Sequence, residues 1–300
     1  MPFLDFSQGT GYTEFAMKIL ILGAQGNLGT QLVLTFKDHE VLAWDRNEVN
    51  LLDSENLIVK LDEAQPDLVI NAAAYNAVDK CESLEEEKEL AIKLNTELPS
   101  QLATWCHDNH KVLVQYSTDY VFSGNEDKKE FNEADVPNPI NVYGQTKADG
   151  ELTVINSGAD YYLIRVSKLF GPSGASEYSK KSFFDIMLDL ASRNPELSVV
   201  DEELSCFTYT PDLAAATKEL ITDKKPFGIY HLINEGAVTW YEAVLELKKI
   251  AGFEAVVKPV SGDFLNRPAK RPLFSVLQNT KVQHLRSYRE ALQEYLKNKK

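Results

Sequence analysis

The 300-residue chain has only three cysteines and five histidines. Cys81, Cys106 and Cys206 are odd in number, far apart and without a Cys-x-x-Cys pair. That excludes a disulfide framework and a cysteine zinc site, and it fits a reducing cytoplasm. The histidines are equally scattered, and no metal is expected. Cations are in deficit: 31 Lys and Arg face 45 Asp and Glu, for a net charge of −14. Nucleic acid and anionic membrane surfaces both demand basic patches, so neither is an expected partner. No apolar run approaches the roughly 20 residues of a membrane-spanning helix. Residues 1–16 lack the basic and apolar regions of a secretory signal, and read as a poorly ordered extension before Met17.

What remains is a globular chain of 44% apolar residues, long enough for one large α/β domain or a nucleotide domain with a smaller lobe. Lys18-Ile-Leu-Ile-Leu22 has the continuous apolar character of a buried parallel strand. It runs into Gly23-Ala-Gln25-Gly26-Asn27-Leu28-Gly29, then an amphipathic helix to about Lys37 and a strand over Val41–Trp44. Asp45 follows, 22 positions after the first glycine. Glycines in such a βαβ unit let the backbone turn tightly and approach a pyrophosphate, which the helix N-terminus then binds. An acid at Asp45 suits the ribose hydroxyls and favours NAD over NADP, while Arg46 beside it offers a guanidinium to a 2′-phosphate. Further strands are expected at Asp67–Asn71, Val112–Tyr116 and Tyr161–Arg165, the last taken as the sixth of the sheet. Small residues at Ala72–Ala74 suit either a cofactor or close packing.

The later chain reads as a mobile Gly/Ser loop (171–182), a helix over Ser182–Arg193, a strand around Leu197–Val200 and a helix N-capped by Thr210. A strand over Gly228–Ile233 returns to the sheet, and Thr239-x-x-Glu242 forms a capping box. The acidic run Glu82–Glu89 reads as a solvated helix face without function. Arg267 and Arg271 stand in a rigid basic stretch suited to a nucleotide diphosphate.

The chemistry-bearing stretch is Asn141-Val-Tyr143-Gly-Gln-Thr-Lys147. Tyr143 and Lys147 share a helix face, and a nearby ammonium would favour the phenolate and lower the tyrosine pKa. The spacing carries little alone. With 13 tyrosines about one Tyr-x-x-x-Lys arises by chance, and a second copy joins Tyr295 to Lys299. Ser117, Thr118 and Asp119 close the preceding strand, at the end where open parallel sheets bind ligands.

Together these segments resemble the extended short-chain dehydrogenase/reductases and, within them, the dTDP-4-dehydrorhamnose reductases. The resemblance covers nearly everything from Met17 onward. It rests on the glycine motif, Asn71–Glu82, Tyr116–Phe122, Asn141–Lys147 and Arg271-Pro-x-x-Ser-x-Leu277. It implies a Rossmann-type doubly wound parallel sheet over 17–165, rejoined by about 205–233. A substrate-binding lobe then comprises 166–204 and 234–300. It implies Thr118, Tyr143 and Lys147 as the catalytic set. NADH or NADPH would lie against Gly23, Gln25, Gly26, Asn27, Leu28, Asp45, Arg46, Asn50, Leu51, Ala73, Ala74, Tyr75 and Asn76, with Tyr143 and Lys147. A dTDP-sugar would meet Asn76, Thr118, Asp119, Lys168 and Arg271. A homodimer is compatible with the sequence.

Several positions depart from the family pattern. Asn76 replaces a threonine, Lys168 a tryptophan beside the sugar, and Glu202–Thr208 a stretch of different composition. Gln31 replaces an acid that serves a magnesium site in some members. The implied reaction is reduction of a C4 ketone. Sugar-nucleotide epimerases and dehydratases of the superfamily, and a non-catalytic NAD(P)-binding regulatory subunit, are the alternatives. The pair Asp119-Tyr120, where dehydratases carry Asp-Glu, argues against elimination.

Overall fold

The computed structural model describes residues 16–124, 129–177 and 179–299, so the expected extension falls almost wholly outside the described residues. In chain order, β1 (Lys18–Leu22), α1 (Asn27–Thr35) and β2 (Glu40–Trp44) form the expected βαβ unit. α2 (Ser54–Ala64), β3 (Leu68–Asn71), α3 (Val78–Ser83) and α4 (Glu85–Ile92) follow. A π-helical turn over Lys93–Glu97 joins α4 to α5 (Leu98–Asp108). β4 (Val112–Thr118), α6 (Val142–Ile155) and β5 (Asp160–Val166) complete the first half. Two of these helices begin on side-chain caps: Asp53 accepts from Asn56 N before α2, and Asn141 from Gly144 N before α6.

The second half contains β6 (Leu169–Phe170), α7 (Phe183–Arg193), β7 (Glu196–Val200), β8 (Thr208–Tyr209) and α8 (Thr210–Thr222). After it come β9 (Gly228–His231), β10 (Asn234–Glu235), α9 (Trp240–Ala251), β11 (Val256–Val260), β12 (Leu285–Ser287) and α10 (Tyr288–Asn298). Thr239 and Glu242 make the expected capping box. Thr210 is the first residue of α8 rather than its cap: extended Tyr209 holds the cap position without a side-chain bond, and Asp212 is engaged by Arg286 and Asn234.

Six strands form one parallel sheet in the order β2-β1-β3-β4-β5-β9. Tyr161–Arg165 therefore lies in the fifth strand, not the sixth, and the returning segment supplies the sixth. Alternate strand residues face opposite helical layers. Ile19, Ile21 and Ile70 pack with α1 and α8, and Leu20, Leu22 and Val69 with α2 and α5. Burial on both faces explains why these strands read as unbroken apolar runs.

A separate aromatic core joins α7, α9 and α10 through Phe170, Phe184, Phe207, Tyr288 and Tyr295. Beside it β7 pairs with β11. Among the described residues no helix is long and apolar enough to cross a membrane.

Candidate active site

The carboxyl ends of β1, β3 and β4 meet where the strand order reverses direction, the place at which open α/β sheets bind ligands. The glycine-rich loop has the shape this requires. Gly23 has φ +71°, and a Cβ at Gly29 would lie 2.0 Å from Gly23 O, so α1 can pack this closely only on a glycine. At Gly26 the nearest obstacle to a Cβ is Gly23 O at 3.2 Å. Gly26 caps α1 without a side-chain bond, and the first turn holds no acid, leaving the Asn27 and Leu28 amides suited to an anion. Asp45 Oδ2 accepts from Gln25 N at 2.9 Å, while its Oδ1 accepts from Arg46 N at 2.8 Å. The acid thus steadies the loop it faces. Asn50 shapes the next turn by accepting from Leu52 N, and Leu51 packs partly buried against the α2 side of the sheet.

On the other side, Ala73 N donates to Asn71 Oδ1, and the Tyr75 amide to Asn95 Oδ1 at 3.0 Å. Asn95 sits in the π-helical turn and also donates to Tyr75 O and to Thr146 Oγ1. It ties the segment Ala74–Asn76 to α6, a role no local pattern announced. The 171–182 loop, expected to be mobile, is pinned across the crevice. Ser176 N and Ser179 Oγ donate to Gln25 O, Gly174 N donates to Asn27 Oδ1, and Lys180 Nζ donates to Asn76 O.

Thr118 ends β4 and Tyr143 lies in the first turn of α6, which brings the Thr118 hydroxyl to the Tyr143 phenol, where it favours the phenolate. Tyr120 packs edge-on against the Tyr143 ring, with centroids 5.8 Å apart. Thr118 Oγ1 donates to Asp119 Oδ1 at 3.2 Å, and Ser275 Oγ donates to Asp119 Oδ2 at 2.6 Å. Burial raises the Asp119 pKa, against those hydroxyl bonds and the Lys168 charge.

One expectation is reversed. Burial pushes the Tyr143 phenol up, not down, and the Asp119 and Cys81 charges add to it. Lys147 shares the helix face, but its ammonium donates to Tyr116 O on β4 at 2.7 Å. Burial brings Lys147 down to about 8, opposed by the Glu151 charge.

Lys168, where the family pattern has tryptophan, does not turn to solvent. Its backbone has φ +38°, its Nζ donates to Glu203 O at 3.0 Å, and it lies 4.1 Å over the Trp240 ring and 5.2 Å over Phe207. Burial lowers its pKa to about 8, while Asp119 and Glu203 favour the charge. Arg267 and Arg271 are turned to carboxylates instead of standing ready for a diphosphate. Arg267 pairs with Glu203, and Arg271 grips both oxygens of Asp79 at 2.7 and 2.9 Å. The acidic run is likewise not merely solvated. Glu82 accepts from Val142 N at the start of α6, and Glu87 accepts from the Tyr75 hydroxyl at 2.5 Å.

The motifs that resembled a family thus interlock: Asp79 with Arg271, Glu82 with Val142, Asp119 with Ser275. Comparison with known proteins agrees. The family model described as the RmlD substrate binding domain matches residues 17–300. The chain belongs to the dTDP-4-dehydrorhamnose reductase family. It is 34% identical over 288 residues to dTDP-4-dehydrorhamnose reductase of Streptomyces griseus, covering 92% of this chain and 91% of that one. It is 33% identical over 291 residues to the spore coat polysaccharide biosynthesis protein SpsK of Bacillus subtilis, covering 94% and 98%. The crystal structure of dTDP-4-dehydrorhamnose reductase from Bacillus anthracis in complex with NADP superposes with a TM-score of 0.87. That pair is 28% identical and covers 94% of this chain and 99% of the other.

Proposed function

We propose that this member of the family is an NAD(P)H-dependent reductase acting on the C4 ketone of a dTDP-4-dehydro-6-deoxyhexose. The observation that supports this reading most directly is the Thr118 hydroxyl beside the Tyr143 phenol at the carboxyl edge of the sheet, with buried Lys147 behind them. The glycine loop, Asp45, residues 73–76 and Lys147 would hold the dinucleotide, which supplies a hydride when bound. Tyr143 delivers the proton to the developing alkoxide. Thr118 fixes the ketone oxygen toward that phenol, and Asp119, anchored by Ser275, orients Thr118. A phenol held above its usual pKa is fully protonated at neutral pH, the form a proton donor needs. Lys147 stabilises the phenolate left behind. The lobe carrying Lys168, Glu203 and Trp240 closes over the sugar, and the enzyme works in the cytoplasm.

A steady-state assay with NADH or NADPH and a dTDP-4-keto-6-deoxysugar tests the reading. Turnover is expected with either cofactor, and binding of the dinucleotide without turnover would favour a regulatory subunit. NADH is expected to serve at least as well as NADPH, and Asp45→Ala is expected to shift the kcat/KM ratio toward NADPH. A large wild-type preference for NADPH would mean that Asp45 does not meet the ribose.

A further inference from the structure

Behind Lys147 lies a chain of buried charge that the proposed reaction leaves unexplained. Glu151 stands one helical turn beyond Lys147 on α6 and is 2% exposed, while Arg165 on β5 is 1% exposed. Arg165 Nε donates to both Glu151 oxygens, at 3.0 and 3.2 Å, and its Nη2 donates to Oε2 at 2.7 Å. The remaining Nη1 lies 3.4 Å from His231 Nε2 on β9, and His231 Nδ1 lies 3.0 Å from Gln278 O. Burial and the Arg165 charge push His231 down to about 4. At neutral pH the ring is therefore uncharged: Nε2 accepts from Arg165, and Nδ1–H donates to Gln278 O. The guanidinium also faces the Phe122 ring at 5.0 Å.

Net stability does not account for this arrangement, because a buried ion pair can often be replaced by apolar residues of similar volume without loss. Its position does. Tyr143, Asp149 and Glu151 are the ionisable side chains within a turn of Lys147 on the same helix, and Asp149 accepts from Gln145 Nε2 at 2.8 Å on the exposed face. β4 offers Lys147 the Tyr116 carbonyl, with Thr118 at the strand end. β5 offers Arg165, whose guanidinium is committed to Glu151. Asp119 after β4 and Cys81 on α3 act on Tyr143. The charge that acts on Lys147 is that of Glu151.

We propose that Glu151, clamped by Arg165, is a positioning residue that keeps the Lys147 ammonium charged inside a dry site, with His231 closing the far end of the clamp. Without it, desolvation would release the proton, and the proposed reaction would lose its cation. The role as stated for catalysis rests on the reductase reading; the charge relation between Glu151 and Lys147 does not.

The experiment follows Lys147 directly in the full chain. Lysine-labelled protein is titrated by NMR, with Lys147 assigned by its loss in Lys147→Met, and Glu151→Gln is compared with wild type. Removing an opposite charge at this range should lower the Lys147 midpoint by roughly 1–3 pH units. If Glu151→Gln leaves Arg165 unpaired and fails to fold, the double variant Glu151→Leu with Arg165→Met should show a smaller downward shift, because the cation lost with the carboxylate had opposed it. An unmoved midpoint in either folded variant overturns the proposal. The pH profiles of kcat and of NADPH affinity are the second readout, with the alkaline limb of each expected to move down in step. A uniform loss at every pH, with no moved limb, marks a merely structural pair and overturns it too. If wild type shows no ketone reduction, the reductase reading falls, and the NMR midpoint still decides the role of Glu151.

Discussion

Two Tyr-x-x-x-Lys pairs occupy helices of this chain, and their surroundings divide them. Tyr143 and Lys147 lie on α6, both buried against the carboxyl end of the sheet. The phenol faces the Thr118 hydroxyl and the ammonium bonds a backbone carbonyl. Tyr295 and Lys299 lie at the end of α10 and converge on one carboxylate. Tyr295 Oη donates to the two oxygens of Asp185 at 2.7 and 2.8 Å, and Lys299 pairs with the same group. There Asp185 neutralises the lysine, and the cluster ties α10 to the start of α7. In the first pair the tyrosine meets a hydroxyl at a sheet edge, and the lysine has its countercharge one turn away in Glu151. Under the proposed function, identical spacing serves chemistry in one place and docking in the other. The partner supplied from elsewhere in the chain makes the difference.

The widest separation should appear on deleting the phenols. Tyr143→Phe is expected to lower kcat roughly 10²–10⁴-fold with cofactor affinity retained. Tyr295→Phe should leave turnover intact and cost about 1.5–3 kcal/mol in urea unfolding, the value of a hydrogen bond to a charged group. Equal kinetic losses in the two variants would abolish the distinction.

The lysines should differ less. Lys147→Met is expected to reduce turnover and to weaken cofactor binding roughly ten- to a hundredfold, as fits loss of a charged hydrogen-bond donor. Lys299 is 42% exposed at its side chain, and Lys299→Met should change stability by about 0–1 kcal/mol. Titration calorimetry with the cofactor and chemical denaturation read the two effects separately.

Lys168 sharpens the contrast further, being a third lysine laid on an aromatic ring, as Lys299 is on Tyr295 at 5.2 Å. It sits near Asp119, where the proposed function puts the sugar. Lys168→Trp is expected to change KM for the dTDP-sugar severalfold, more than kcat, with cofactor affinity unaltered. Indistinguishable KM values at saturating cofactor would remove Lys168 from the substrate pocket.

Much of the frame was legible in the residues. The β1–Gly23–α1–β2 unit, the polar end of β4 at Thr118 and the return of Gly228–His231 to the sheet all rest on backbone chemistry confined to short segments. The count of strands before Tyr161 was off by one, since only β1 to β4 precede it in the sheet. Asn95 and Ser275 carried no local signal of their positions. Asn95 lies in a helix whose π turn no periodicity reveals, and Ser275 acts on a residue 156 positions away.

By itself, then, the sequence determined which segments are strands and helices, where the glycine turn falls and which side chains share one face of α6. Steric and hydrogen-bonding rules act over a few neighbouring residues, and they leave a readable period. Only the tertiary structure decided where the side-chain tips go. Lys147 turns to a carbonyl 31 residues away, Arg271 to a carboxylate 192 away, and Lys168 over an indole on α9. It also decided that Tyr143 titrates upward, because the pKa of a buried phenol is set first by the water removed from it. How much water is removed depends on everything packed around it.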